Sequence, residues 1–276
     1  MEPRVGLILR TYATDSKDVA GRVATVKDAV ERAVRLTIGG YQAIHRIDVL
    51  VWADKRFAES DCGYTYASLQ SALQGVPDVY LSEVRRGDLF CGLLNYGIAL
   101  QLRNGMDYSI ILSVSARSYF NEPIQKGARA VGVAINELSE SIHEGRLANT
   151  FCLWDNVALM TVGGFDLRAA KIADHQSGTY ILGWSKEMHQ MAHYQLSGVE
   201  EIIPLARLVE NFGPCIAAID PQGEGVQKYE LPDPAQQPEL YKRHMSKMAT
   251  KFERQTVLLA SIGVQPSFLQ SGLIKK

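Results

Sequence analysis

The 276-residue chain has only four cysteines, Cys62, Cys91, Cys152 and Cys215, and they lie far apart. There is no CxxC, so neither a zinc knuckle nor a disulfide framework is indicated, and buried thiols in a reducing cytoplasm are expected. Charge of one sign is also missing. The net charge of −1 excludes a general nucleic-acid binder, which needs surplus Lys and Arg to neutralise phosphates. Long apolar runs are absent. The opening MEPRVGLILRTYATD reaches Arg10 after about five apolar residues, too short a stretch for a signal peptide or a membrane span. No GxGxxG follows the first apolar run and no GxxxxGK[ST] occurs, which argues against a dinucleotide fingerprint and a P-loop. No internal repeat is visible.

What is present is a core-forming composition, 46% hydrophobic and 21% charged. Val5 to Leu9 (VGLIL) and Ile47 to Trp52 (IDVLVW) read as strands covered on both faces. Between them Val19, Val23, Val26, Val30 and Val34 recur every three or four residues, the stripe of an amphipathic helix capped by Asp15 or Ser16. Val79 to Val84 follows the turn residues Gly75 to Asp78 as a third strand. Phe90 to Leu102 reads as a helix, Tyr108 to Val114 and Ala128 to Ile135 as strands, and Glu137 to Glu144 as a helix. Strands alternating with helices imply a mostly parallel sheet with helices on both faces.

The stretch Asn149 to Asp166, NTFCLWDNVALMTVGGFD, reads as a strand, a short apolar helix and a Gly-Gly turn closed by Phe165 and Asp166. Residues 223–238 hold Pro232, Pro234 and Pro238 and read as a linker. Beyond it, Leu240 to Ile262 is expected to form one helix. Tyr241, Met245, Met248, Phe252 and Leu259 fall near one face, and Lys242, Arg243, Lys247, Lys251 and Arg254 supply a basic one. Residues 239–276 carry seven Lys/Arg against two Glu, a surplus of five, so the rest of the chain carries −6. The domain division expected is therefore 1–222 for the α/β unit, 223–238 for the linker and 239–276 for a C-terminal helical extension. The basic helix suits packing against the core or a second copy, with peripheral contact to an anionic membrane as the alternative.

In an open parallel sheet, ligands bind beyond the carboxyl ends of the strands. Arg10-Thr11, Asp54, Arg85 to Asp88 and Ser113 to Arg117 occupy those positions. The order of segments resembles the GT-A glycosyltransferase fold, a Rossmann-like nucleotide-sugar-binding sheet, and within it the large family 2 of inverting enzymes. The resemblance rests on VGLILRT at the start and on LVWADK, ending near Asp54. It continues through RRGDLFCGLLN with Asn95, through NTFCLWDNVALMTVGGFD, and through VEEIIPLARLVENFG with its acidic pair. It covers roughly residues 4–221.

The resemblance implies a transferase that moves a sugar from a nucleoside diphosphate sugar to an acceptor. Thr11, Asp54, Arg86, Asn95, Ser113, Ser115 and Arg117 would face the donor, and Trp154, Asp155, Gly164 and Asp166 the acceptor. An inverting transfer needs a carboxylate to deprotonate the acceptor hydroxyl. The resemblance puts it at Glu201, with Glu200 beside it; as plain structure, the pair are first-turn residues favoured by the helix dipole. The family's paired carboxylates, which hold magnesium or manganese, are missing, since no Asp or Glu lies between Asp107 and Glu122. Ser113 and Ser115 are poor substitutes, and no metal ligand is assigned. The diphosphate would then be neutralised by Arg85, Arg86 or Arg117.

Three further points belong to this reading. His189 and His193 form HxxxH, but Gln190 replaces a metalloprotease's Glu, so the pair reads as a polar helix face. Trp154 and Asp155 also suit a core tryptophan and a helix cap. A nucleotidylyltransferase normally needs a Gly-rich basic loop after the first strand, and RTYATD contains no glycine. The function expected is a metal-independent or metal-assisted glycosyltransferase of the cytoplasm, with a catalytically inactive binding or scaffold protein of the same fold as the alternative.

Overall fold

The computed structural model describes residues 2–11, 19–35, 37–38, 41–52, 59–84, 91–112, 126–134, 145–166, 199–219, 233–249 and 251–274. The sequence-predicted site residues Asp54, Arg86, Ser113, Ser115 and Arg117 lie outside the described residues. So do Arg85, His189, His193, the predicted 137–144 helix and the proline-rich stretch up to Pro232.

Among the described residues, seven strands form the main sheet. They are β1 (Val5–Thr11), β4 (Arg46–Trp52), β5 (Val79–Val84), β6 (Tyr108–Leu112), β7 (Ala130–Ala134), β8 (Leu147–Asp155) and β9 (Ile216–Ile219), in the order β5-β4-β1-β6-β8-β7-β9. A small hairpin of β2 (Thr37–Ile38) and β3 (Tyr41–Gln42) stands apart. All main-sheet pairings are parallel except those of β8, which runs antiparallel to both β6 and β7. The sheet is therefore mixed and mostly parallel.

Alternation along the strands divides the core into two layers, because successive side chains point to opposite faces. Leu7, Leu9, Ile47, Val49 and Val51 pack with Val26, Ala29 and Val30 of helix α1 (Val19–Val34) and Leu69 of helix α2 (Glu59–Ala72). Ile8, Leu50, Ile111 and Trp154 point the other way. They pack against α3 (Cys91–Arg103), α4 (Asn156–Thr161) and α5 (Ile202–Phe212). The valine stripe thus forms the helix its spacing predicts. Helix α2 does not follow from the sequence pattern: ESDCGYTYASLQSA has no apolar stripe, and packing against α1 and the strands β4 and β5 holds it.

A buried polar network sits inside the α3 layer. Asp48 and Gln101 are fully buried; Gln101 Nε2 donates to Asp48 at 2.5 Å, and Arg46 grips the same carboxylate at 2.8 Å through two nitrogens. Gly6 lies beneath Gln101, where a Cβ would collide with the amide. Burial raises the Asp48 pKa, and Arg46 opposes that rise.

The C-terminal segment is helical over most of the stretch expected to be. It forms α6 (Pro238–Ala249) and α7 (Lys251–Ala260), followed by a 3₁₀ helix over Pro266–Gly272. Leu258, Leu259 and Leu269 enter the α3-side core, whereas Met245 stays exposed. The chain end also lines the β9 edge, where Cys215 N donates to Gly272 O at 2.8 Å and Ile274 N to Ile216 O at 2.9 Å. Covering an edge in this way removes a free pairing surface. Among the described residues, no helix is long and apolar enough to cross a membrane.

Candidate functional site

Strand order reverses between β1 and β6, which lie side by side and lead to opposite wings of the sheet. In doubly wound sheets the crevice at such a switch point receives ligands. Thr11 ends β1 there. It is buried, and its Oγ1 has no hydrogen-bond partner among the described residues. Buried polar atoms are nearly always bonded, so an orphan at a crevice is chemically informative.

Helix α5 precedes β9, which is parallel to the rest, so its first turn lies toward the carboxyl edge of the sheet. Glu201 is the N-cap residue and Glu200 precedes it, so the pair stands just before the first turn in which the sequence reading put it; both are buried. Glu201 Oε1 accepts from Gln255 Nε2 at 3.1 Å and lies 3.5 Å from Lys251 Nζ, while Oε2 has no hydrogen-bond partner among the described residues. Burial pushes the Glu201 pKa up; Lys251 pulls it down and Glu200 pushes it up further. The result is a carboxylate with raised basicity, one anchored oxygen and one unclaimed.

Lys251 and Arg254 are buried beside this pair. The sequence pattern had assigned both to a basic solvent face, and here the structure corrects it. Two cations of the C-terminal surplus turn inward because two carboxylates buried without cations would carry a large desolvation cost. Burial lowers the Arg254 pKa and the two glutamates raise it.

The Gly-Gly-Phe-Asp turn forms a second cluster. Gly163 and Gly164 have φ of 93° and 69°. Asn95 Oδ1 accepts from Phe165 N at 2.7 Å and Asn95 Nδ2 donates to Phe165 O at 2.9 Å, so one amide side chain mimics a strand partner. Cys91 Sγ donates to Asp166 O at 2.7 Å, and Arg207 of α5 pairs with Asp166 at 3.1 Å. Asn95, Gly164 and Asp166 are thereby brought together and tied to the helix that begins after Glu201.

A Cβ on Gly164 would lie 2.5 Å from Asn95 Oδ1, in a backbone region that L-residues avoid. Gly164→Ala is therefore expected to cost about 1–3 kcal/mol by chemical denaturation, from backbone strain and the displaced amide. A cost no larger than that of an exposed Ala substitution would count against this geometry.

Trp154 and Asp155 are not part of that cluster. Asp155 pairs in register with Tyr108, the first residue of β6, so it sits at the edge opposite Thr11. Its carboxylate bonds Arg129 and accepts from Ala158 N at 2.9 Å, capping α4. Trp154 is buried and meets Phe165 edge to face at 5.2 Å, supporting the turn from within the core.

A groove of about 570 Å³ between α2 and the edge strand β5, lined by Ala67, Gln70, Leu73, Val76, Val79 and Leu81, includes none of these residues. Among the described residues, no group of three or more His, Cys, Asp or Glu is arranged to hold a metal ion. Sequence reasoning missed Arg146, Arg207, Lys251, Arg254 and Gln255 as neighbours of the two clusters. The signals for the last group were the charge asymmetry and the Lys251/Gln255 spacing of one helical turn. No protein-family model matches the chain, and no curated protein matches it.

Proposed function

We propose that this chain is a GT-A-type glycosyltransferase that moves a sugar from a nucleoside diphosphate sugar to an acceptor hydroxyl, with Glu201 as general base. The observation that carries the reading is the Glu201 carboxylate: buried, anchored through Oε1, and with a buried Oε2 that has no hydrogen-bond partner among the described residues. A base for a weakly acidic hydroxyl gains from a raised pKa and from a fixed orientation. In the reaction, Glu201 takes the proton as the acceptor oxygen attacks the anomeric carbon. The nucleoside diphosphate leaves from the opposite face, and the configuration inverts.

Thr11 at the strand-order reversal supports a donor site between β1 and β6. The resemblance adds Asp54 for the base, with Arg86, Asn95, Ser113, Ser115 and Arg117 along the donor. Gly164 and Asp166 would form the acceptor wall, which Trp154 supports through Phe165, while Asp155, expected there too, lies at the opposite edge. Magnesium or manganese would need carboxylates after β6, and that segment offers the hydroxyls of Ser113 and Ser115 and the guanidinium of Arg117. This donor set does not suit a hard divalent cation, and the reading gives neutralisation of the diphosphate to the arginines. The missing carboxylates favour one second reading, a protein that binds a nucleotide sugar without turnover.

The test is thermal denaturation with a panel of nucleoside diphosphates and nucleotide sugars, with and without manganese. Ligand at 100 times its Kd is expected to stabilise by about 2.7 kcal/mol. Nucleotide-sugar hydrolysis, with water as acceptor, then reports turnover. No shift with any nucleotide would end the transferase reading. A shift without hydrolysis, unaffected by Glu201→Gln, favours the binding protein.

A further inference from the structure

Glu201 is held by a helix some fifty residues further along the chain, and the way it is held is directional. Lys251 and Gln255 are one turn apart on α7, so both present to the same side. Both approach the same oxygen, Oε1, at 3.5 Å and 3.1 Å, and neither takes Oε2. Gln255 is itself oriented: its Oε1 accepts from Arg146 Nη1 at 3.3 Å, which leaves its amide nitrogen to donate to Glu201. Arg146 also donates to Phe252 O at 3.3 Å and lies 4.8 Å over the Phe252 ring, so its guanidinium is fixed to the same helix. The C-terminal charge surplus thus has a specific use: it carries a cation and an oriented amide to an acidic pair on α5.

We infer that Lys251 and Gln255 are positioning residues for Glu201: they fix one carboxylate oxygen and leave the other directed at the acceptor hydroxyl. The inference rests on the reading of Glu201 as the base and extends the functional unit to the C-terminal helix. The charged and titratable groups around Glu201 are Lys251 and Arg254 on α7, Glu200 beside it and Cys152 on β8, with Arg146 acting through Gln255. Lys251 favours the ionised carboxylate and Glu200 the protonated one, so their removal has opposite consequences.

The experiment uses the full chain labelled with δ-¹³C glutamate, with E201Q assigning the Glu201 signal. In K251M the midpoint of that signal is expected to move to higher pH, in K251R to return, and in E200Q to move to lower pH. Q255L is expected to move it upward less than K251M does. If K251M does not fold, K251Q serves, since it removes the charge and keeps a shorter polar side chain. The acid limb of nucleotide-sugar hydrolysis should move in the same directions, with K251M losing roughly 10-fold or more at the acid end. A midpoint unmoved by loss of the Lys251 charge, or moved the same way by K251M and E200Q, overturns the inference. The shifts appearing while wild type hydrolyses no nucleotide sugar would uphold Lys251 as the holder of Glu201 and overturn the transferase reading instead.

Discussion

Trp154→Ala is expected to destabilise the protein by about 3–5 kcal/mol, the cost of deleting a fully buried large aromatic. Trp154 lies on the α3 side of β8, 1% exposed, in the layer that joins α3, α4, α5 and the C-terminal leucines. Its indole also meets Phe165 at 79° between ring planes. An edge-to-face pair contributes about 0.5–1.5 kcal/mol beyond the area it buries. A double-mutant cycle of Trp154→Ala with Phe165→Ala should therefore show coupling of that size, measured by urea denaturation followed by circular dichroism. The consequence reaches the site, since Phe165 is the residue whose backbone Asn95 grips on both sides. A loss below about 1 kcal/mol would show that Trp154 is not a core residue.

Glu201→Gln is expected to lower turnover by about 10²–10⁴-fold, the usual contribution of a general base, with little effect on nucleotide binding. Stability should move the other way. The Glu201 pKa is raised in the folded protein, chiefly by burial, so the folded state keeps its proton to a higher pH than the unfolded state does. The favourable contribution is complete below the unfolded carboxylate pKa. It is lost as pH rises from there through the raised folded value. Glutamine resembles the protonated form and does not titrate. Between the ordinary glutamate range and the folded pKa, wild type should lose stability relative to Glu201→Gln, and at neutral pH the variant should be at least as stable. Asp48→Asn should flatten the same acid-to-neutral slope, because burial raises Asp48 too. A variant less stable than wild type at neutral pH would mean that the ion pair with Lys251 outweighs the burial of the carboxylate. Chemical denaturation across pH distinguishes the two.

How much was legible in advance depends on whether a feature is local. VGLIL and IDVLVW are apolar because both faces of their strands are covered, and that requirement is written in each segment. The valine stripe of α1 and the glycines at 163 and 164 are equally local, since 3.6-residue periodicity and positive φ are properties of a few consecutive residues. Helix α2 was not legible: its sequence has no stripe, and packing against α1, β4 and β5 decides its state.

The candidate site divides in the same way. Glu200 and Glu201 stand out in the sequence as adjacent carboxylates before an apolar helix, and Asn95 and Gly164 through their motifs. That Asn95 and Gly164 touch, across seventy residues, is a product of how α3 and α4 lie together. By itself the sequence determined the α/β alternation, the two-sided burial of the central strands and the residues able to do acid–base chemistry. Only the tertiary structure decided that β8 runs against its neighbours, that Asp155 faces the far edge, and that Lys251 and Arg254 turn inward to the acidic pair. The physical reason is one of range. Periodicity and side-chain chemistry act over a few residues, whereas strand direction and the pairing of buried charges are settled by segments that meet only when the chain is folded.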